Sequence, residues 1–378
     1  MSATEAATHH VGRMPPRVTG VDAARGLALI GMFVAHVAPA AASVDVTELI
    51  ALAEERPRLL FALTAGVGLG LLTGASRPAD DHRGVLRRQI AIRAVILVAL
   101  GLLIVATLNP LVFVILDVYG IAFLVMLPFL FVPPRVAIWL GAALLTVTPA
   151  IAAFAERDQG FLLARETEVG LLIEWFFTGA YPVIIWVPVM LIGLGLARVD
   201  VASPVVVRWY ALAGVVAASV CLPLSRLLPG EELVGVEDAT AAWAIPVGAS
   251  LETVGNVGVC LLVLAAAVTL TALVHPAVRR VSSAILSPVS AMGAMPLTIY
   301  TAHLVVIASA KRRVGDVVTD DSWPLLIGLI VGSMVFAWLW QRFVGRGPLE
   351  AALRWASGRS RPDAATEPTS GASSVRQN

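Results

Sequence analysis

About ten stretches of this chain, each close to 20 residues long and almost wholly apolar, follow one another between residues 22 and 343. A helix needs roughly 20 such residues to cross a bilayer core of ~30 Å. In hydrocarbon every backbone N–H and C=O must be paired internally, which leaves helices or closed barrels. The runs are continuous rather than alternating, so the barrel is excluded. Charged residues make up only 14% of the chain, against about a quarter in soluble domains. The expected fold is therefore all-α, a polytopic integral membrane protein of about ten transmembrane helices.

The expected spans are 22–43, 57–75, 90–108, 110–132, 135–154, 180–197, 205–227, 248–274, 287–310 and 324–343. The polar opening residues lead into a stretch too long for a signal-peptide core, so it reads as the first span. Short apolar pieces in the longer loops, such as Leu171–Phe177, read as interfacial or re-entrant. Arginines set the orientation. Arg77, Arg83, Arg87, Arg88, Arg279, Arg280, Arg342 and Arg346 all fall on one side, and the positive-inside rule makes that side and both termini cytoplasmic. Opposite loops are acidic, with Asp45, Glu48, Glu54 and Glu55 in one and Glu231, Glu232, Glu237 and Asp238 in another. The basic cluster Lys311, Arg312, Arg313 departs from the pattern. Residues 1–20 are read as a cytoplasmic segment, 21–356 as the membrane domain and 357–378 as a disordered cytoplasmic tail. Cys221 and Cys260 lie in apolar runs, so neither a disulfide nor a metal site is expected.

Ionisable groups inside a membrane cost several kcal/mol and are functional candidates for that reason. Of six histidines only His36 and His303 fall within spans, joined by Asp117, Glu252 and, near span ends, Arg25 and Arg58. At ~1.5 Å per residue His36 lies ~21 Å and His303 ~24 Å from the cytoplasmic start of their helices, with Asp117 roughly 12 Å and Glu252 roughly 6 Å from the outer side. One stratum in the outer third thus holds two imidazoles, two carboxylates and the Arg58 guanidinium, as a cavity open to the outside would. The bland alternative is helix–helix hydrogen bonding for His303, and ion pairing of Asp117 or Glu252 with Arg58. Arg25 and His36 are eleven residues apart, ~3 turns, so they share a face ~16 Å apart along the axis, and Asp22 can pair with Arg25. That geometry suits a long anionic donor entering from the cytoplasm, phosphates at Arg25 and reactive end at His36.

The segment RVTGVDAARGLALIGMFVAH resembles the opening of the transmembrane acyltransferase superfamily. That group includes heparan-α-glucosaminide N-acetyltransferase and the bacterial membrane O-acyltransferases of surface polysaccharides. In the latter an Arg and a His with ten residues between them mark the first span, as Arg25 and His36 do here. The remainder is similar to an uncharacterised bacterial branch, through RPRLLFALTAGVGLGLLTG (56–74), DVYGIAFLV (117–125), TGAYPVIIWVPVMLIGLGLAR (178–198), SLETVGNVGV (250–259), AMGAMPLTIYTAHLV (291–305) and GRGPLE (345–350). The resemblance implies transfer of an acyl group, acetyl above all, from cytoplasmic acetyl-CoA or another acyl-CoA to an envelope glycan or small-molecule acceptor at the outer face of the plasma (inner) membrane. His36 would be the catalytic base or transient acyl carrier, and Arg25 would hold the donor. Arg58, Asp117, Glu252, Tyr300 and His303 would line or support the acceptor pocket, with Asp117 or Glu252 orienting His36. No metal and no nucleic acid enters this reading, and homo-oligomerisation is left open. A proton-coupled transporter or exporter of a small metabolite or lipid-linked sugar remains the alternative, since the same buried groups would serve as a proton relay. A scaffold is the third reading. The chain has no Walker motif and no internal repeat, the second of which weighs against a transporter.

Overall fold

The computed structural model describes residues 18–39, 50, 55–78, 82–228, 243–314 and 316–358. The acidic loop residues Asp45, Glu48, Glu54, Glu231, Glu232, Glu237 and Asp238, and the tail from 359 onward, lie outside the described residues. The described chain is helical apart from one small hairpin. Its helices are α1 (Thr19–Val37), α2 (Arg56–Leu72), α3 (Arg83–Leu108), α4 (Leu116–Met126), α5 (Pro134–Ala155), α6 (Gln159–Arg165) and α7 (Gly170–Ile173). They continue with α8 (Val183–Arg198), α9 (Pro204–Leu227), α10 (Ala244–Val268), α11 (Pro276–Ala294), α12 (Pro296–Ser309), α13 (Trp323–Phe343) and α14 (Pro348–Ala356). Strands β1 (Arg312–Val314) and β2 (Val317–Thr319) pair antiparallel between α12 and α13.

Each expected span overlaps a helix or a pair of helices, the first as far as Val37 and the fourth from Leu116 onward. Among the described residues six helices are long and apolar enough to cross a membrane, or up to eight if each of two bent pairs counts as one span. The α2 helix and α4 with its following turn are shorter. Residues 170–178 form a helical segment that meets α8 at 48°. The expected ninth span, 287–310, is not one helix. Its axis turns by 79° at Met295, where α11 ends and α12 begins. Two local causes act there: Pro296 opens the new helix without needing an N–H partner, and Glu350 of α14 caps it. Glu350 Oε1 accepts from the Leu297 and Thr298 N–H groups at 2.7 and 3.1 Å, and its Oε2 accepts from the Thr298 hydroxyl at 2.5 Å.

The interior is made by α1, α2 and α8, with α9 and α13 on the periphery. Lipid is as apolar as leucine, so close packing rather than water expulsion holds such helices together, and small residues permit it. A Cβ on Gly26 of α1 would run into the Val289 carbonyl of α11, and one on Gly293 of α11 into the Asp22 carbonyl of α1. Gly66 of α2 and Gly193 of α8 make the same reciprocal contact through the Met190 and Leu63 carbonyls. Two arginines then tie helices through backbone oxygens. Arg25 donates from Nη1 to Gly293 O (3.1 Å) and from Nη2 to Thr64 O (2.8 Å), joining α1, α11 and α2. Arg198, only 4% exposed, donates to Ala75 O (2.7 Å), Thr73 Oγ1 (2.7 Å) and Leu130 O (2.6 Å), gathering the ends of α2, α4 and α8.

Gly293→Ala should therefore lower the thermal midpoint in detergent, by overpacking worth about 1–3 kcal/mol. Gly332→Ala in α13, where an added Cβ meets nothing within 4 Å, should leave it unchanged or raise it by the usual helix gain of about 1 kcal/mol. Equal behaviour of the two variants would refute the close-crossing account.

Candidate active site

His36 sits on the last turn of α1 and His303 near the middle of α12. His36 Nδ1 lies 3.2 Å from His303 Nε2, and the rings stack at 5.4 Å with an interplanar angle of 14°. His303 Nδ1 lies 2.5 Å from the Tyr300 carbonyl oxygen. A carbonyl can only accept, so His303 carries its proton on Nδ1. In the neutral ring its Nε2 is then an acceptor and His36 must donate from Nδ1. That leaves His36 Nε2 with a free lone pair. The tautomer of the half-buried histidine is thus set by a fully buried one, and that one by a backbone carbonyl. Phe33 and the edge of Tyr300 hold the His303 ring at 4.8 and 4.7 Å.

His36 lines a cavity of about 420 Å³ together with Met32, Ala35, Arg58, Leu111, Val112, Phe113, Ala180, Tyr181, Asp320 and Asp321. These residues come from the end of α1, the start of α2, the connections before α4 and α8, and the segment before α13, all one end of the bundle. Arg58 is held there by Glu55 (Nη2 to Oε1, 2.6 Å) and the Ala180 carbonyl (2.8 Å), and lies 5.8 Å from the Tyr181 ring centre. Asp320, from the loop, is 4% exposed; burial pushes its carboxyl above the usual range, and its Oδ2 has no hydrogen-bond partner among the described residues.

A second cavity of about 310 Å³ shares Val112, Phe113, Ala180 and Tyr181 with the first and contains Asp117, Glu174 and Trp175. The Trp175 indole N–H donates to Asp117 Oδ2 at 2.9 Å, while Oδ1 is buried without a partner among the described residues. The structure thus brings His36, His303 and Tyr300 into contact, puts Arg58 in the same cavity and Asp117 in the adjoining one. Tyr300 lines neither cavity. It is 1% exposed, and its hydroxyl accepts from Ile115 N–H at 3.0 Å at the start of α4.

Three expectations need correction. Glu252 lines neither cavity; it belongs to a separate basin with Arg56, Arg157 and Arg226, so it does not orient His36. Asp117 does not orient His36 either, since its one hydrogen bond goes to Trp175. Arg58 pairs with Glu55 rather than with Asp117 or Glu252. Arg25 stands apart from both cavities. Its guanidinium meets Asp22 at 3.4 Å and two carbonyls, leaving Nε–H and one Nη2–H for any further partner. Sequence reasoning missed Tyr181, Trp175, Glu174 and Asp320. Trp175 and Glu174 lie inside the stretch Leu171–Phe177 read as interfacial or re-entrant, and Tyr181 just after it, the only hint these three carried.

Nitrogen-15 spectroscopy on histidine-labelled protein should show His303 with its proton on Nδ1 and His36 with its proton on Nδ1 at neutral pH. In a His303→Phe variant the His36 ring loses its acceptor and should populate both tautomers. A His36 Nε2–H form in the unaltered protein would overturn the assignment.

Comparison with known families bears on the chemistry of this site. Residues 17–224 match the family model described as Heparan-alpha-glucosaminide N-acetyltransferase, catalytic, and residues 205–360 match one described as a protein of unknown function (DUF418). No curated protein matches the chain. The first match spans more than half of the sequence and contains His36, Arg25, Arg58 and Asp117, so this multi-pass membrane protein belongs to the heparan-α-glucosaminide N-acetyltransferase catalytic family, a membrane family of acetyltransferase type.

Proposed function

We propose that the protein transfers an acetyl or other acyl group from cytoplasmic acyl-CoA to a hydroxyl or amine of an envelope glycan or small molecule at the outer face of the plasma membrane. The observation that carries this reading is the Tyr300 carbonyl–His303–His36 chain, which ends in a free imidazole nitrogen at a cavity. A general base needs a lone pair toward the substrate and a fixed partner behind it, as in catalytic triads. His36 Nε2 takes the acceptor proton while the acceptor oxygen or nitrogen attacks the thioester carbonyl. The C–S bond breaks and the proton passes to the departing CoA thiolate. The imidazolium formed in between keeps its Nδ1–H bonded to His303 Nε2, which holds the ring in place. An acyl-imidazole on His36, later attacked by the acceptor, uses the same nitrogen. Tyr181, Arg58 and the adjoining Asp117–Trp175 cavity would hold the acceptor.

The orientation rests on charge. The connections that follow α2, α10 and α13, with Arg77, Arg83, Arg279, Arg280 and Arg346, lie at the end of the bundle opposite His36, and the positive-inside rule favours that end as the cytoplasmic one. Donor phosphates would meet the remaining N–H groups of Arg25 from that side.

The test uses protein in nanodiscs supplied with acetyl-CoA and candidate amino- and hydroxyl-bearing glycans, following thiol release and acyl-acceptor product. His36→Ala should cut transfer by about 10²–10⁴-fold with donor binding retained. Arg25→Gln should weaken donor binding, alongside some loss of thermal stability from its carbonyl contacts. Substrate flux across the membrane without consumption of acyl-CoA, unaffected by His36→Ala, would replace the enzyme with the transporter.

A further inference from the structure

Away from the histidines, α10 presents a second organised surface. Gly248, Glu252, Asn256, Val259 and Val263 recur every three or four residues and form one stripe ~22 Å long. The first part of this stripe borders a basin of about 420 Å³ at the end of the bundle that carries His36. Three guanidiniums, Arg56, Arg157 and Arg226, and two carboxylates, Glu156 and Glu252, line that basin, one positive charge in excess. The lower part borders a groove of about 570 Å³ between α1, α2, α10 and α13, whose lining is apolar apart from Arg56 and Cys260.

Arg56 lines both spaces. Its Nε donates to Asn256 Oδ1 at 2.9 Å, which fixes the guanidinium at the junction, and the guanidinium makes no other hydrogen bond among the described residues. A charged basin that shares Arg56 with an apolar groove matches an amphiphile, not a soluble ion and not a bare hydrocarbon chain. Bilayer chains fill any lipid-facing groove, but a guanidinium at the groove's polar end is costly unless a headgroup anion meets it. Phosphate is the anion that a guanidinium fork pairs with best in that setting.

We propose that basin and groove together form a specific site for one bilayer phospholipid, with its phosphate on Arg56 and Arg226 and an acyl chain along α10 between α1 and α13. The site is separate from the proposed acyl transfer and does not depend on it. It is nonetheless joined to the histidine cavity. Asn256 Nδ2 donates to Glu55 Oε2 at 2.7 Å, and Glu55 Oε1 accepts from Arg58, which lines that cavity.

Native mass spectrometry of delipidated protein titrated with phosphatidylglycerol, and with diacylglycerol of the same chains, tests this. One phosphatidylglycerol should be retained per chain, with diacylglycerol bound at least about tenfold more weakly, as expected for loss of a charge-assisted contact. Arg226→Gln should weaken retention about tenfold; the Arg226 side chain makes no hydrogen bond among the described residues, so this variant should fold normally by thermal unfolding. Val259→Trp should displace the chain from the groove and also lower retention. Equal binding of the two lipids, or retention unchanged in Arg226→Gln, would overturn the proposal. Competition by inorganic phosphate with no effect of Val259→Trp would also overturn it, in favour of a free-anion site.

Discussion

The crossing of α1 and α11 fixes where everything else can be. At Gly26 and Gly293 the two backbones meet with no side chain between them, and the Arg25 guanidinium locks the contact by donating to the Gly293 carbonyl. From Gly26 to His36 is ten residues of α1, ~15 Å. From the bend at Met295 to His303 is eight residues, ~12 Å along α12. Two helices that diverge from one contact and climb similar distances can bring two rings to 3.2 Å only if that contact is rigid. The 79° turn then has a clear role: it converts α11, which packs across the start of α1, into α12, which runs beside its end.

The same economy governs the buried charges. Arg25 and Arg198 spend their donors largely on carbonyl oxygens rather than on carboxylates. A carbonyl at a helix end or beside a glycine has a lone pair left over, so a guanidinium can bind several of them without a second desolvated charge. Glu350 is the complementary case, a carboxylate satisfied by the N–H groups and hydroxyl at the start of α12. Groups committed in this way shape the bundle. Asp117 Oδ1, Asp320 Oδ2 and the open nitrogen of His36 are not so committed, and all three belong to residues that line the two adjoining cavities.

These differences explain what could be read from the chain. Apolar length gave the helices. Height along a helix follows from residue count, which is why His36, Arg58, Asp117 and Glu252 all sit at one end. Rotation around the bundle does not follow from it, so Glu252 was grouped with residues that face a different space. The expected depth of His303 presumes an unbroken helix from 287. The proximity to His36 holds, but for a different reason, because a proline and a carboxylate more than fifty residues away start a new helix at Pro296. A hydropathy window cannot see that cap, nor the carbonyl partners of Arg198, which carry no residue type to search for.

The two family matches divide the site between them. His36, Arg58, Asp117, Trp175 and Tyr181 fall within 17–224, whereas Tyr300, His303 and Asp320 fall within 205–360. The first region alone supplies a histidine on a membrane helix with no fixed tautomer. The second supplies an imidazole whose proton position is dictated by its own helix, and a neighbouring ring must comply with it. Whatever chemistry the cavity performs at His36, the direction in which that residue can take a proton is therefore decided by α12, through a capping carboxylate that lies still further along the chain.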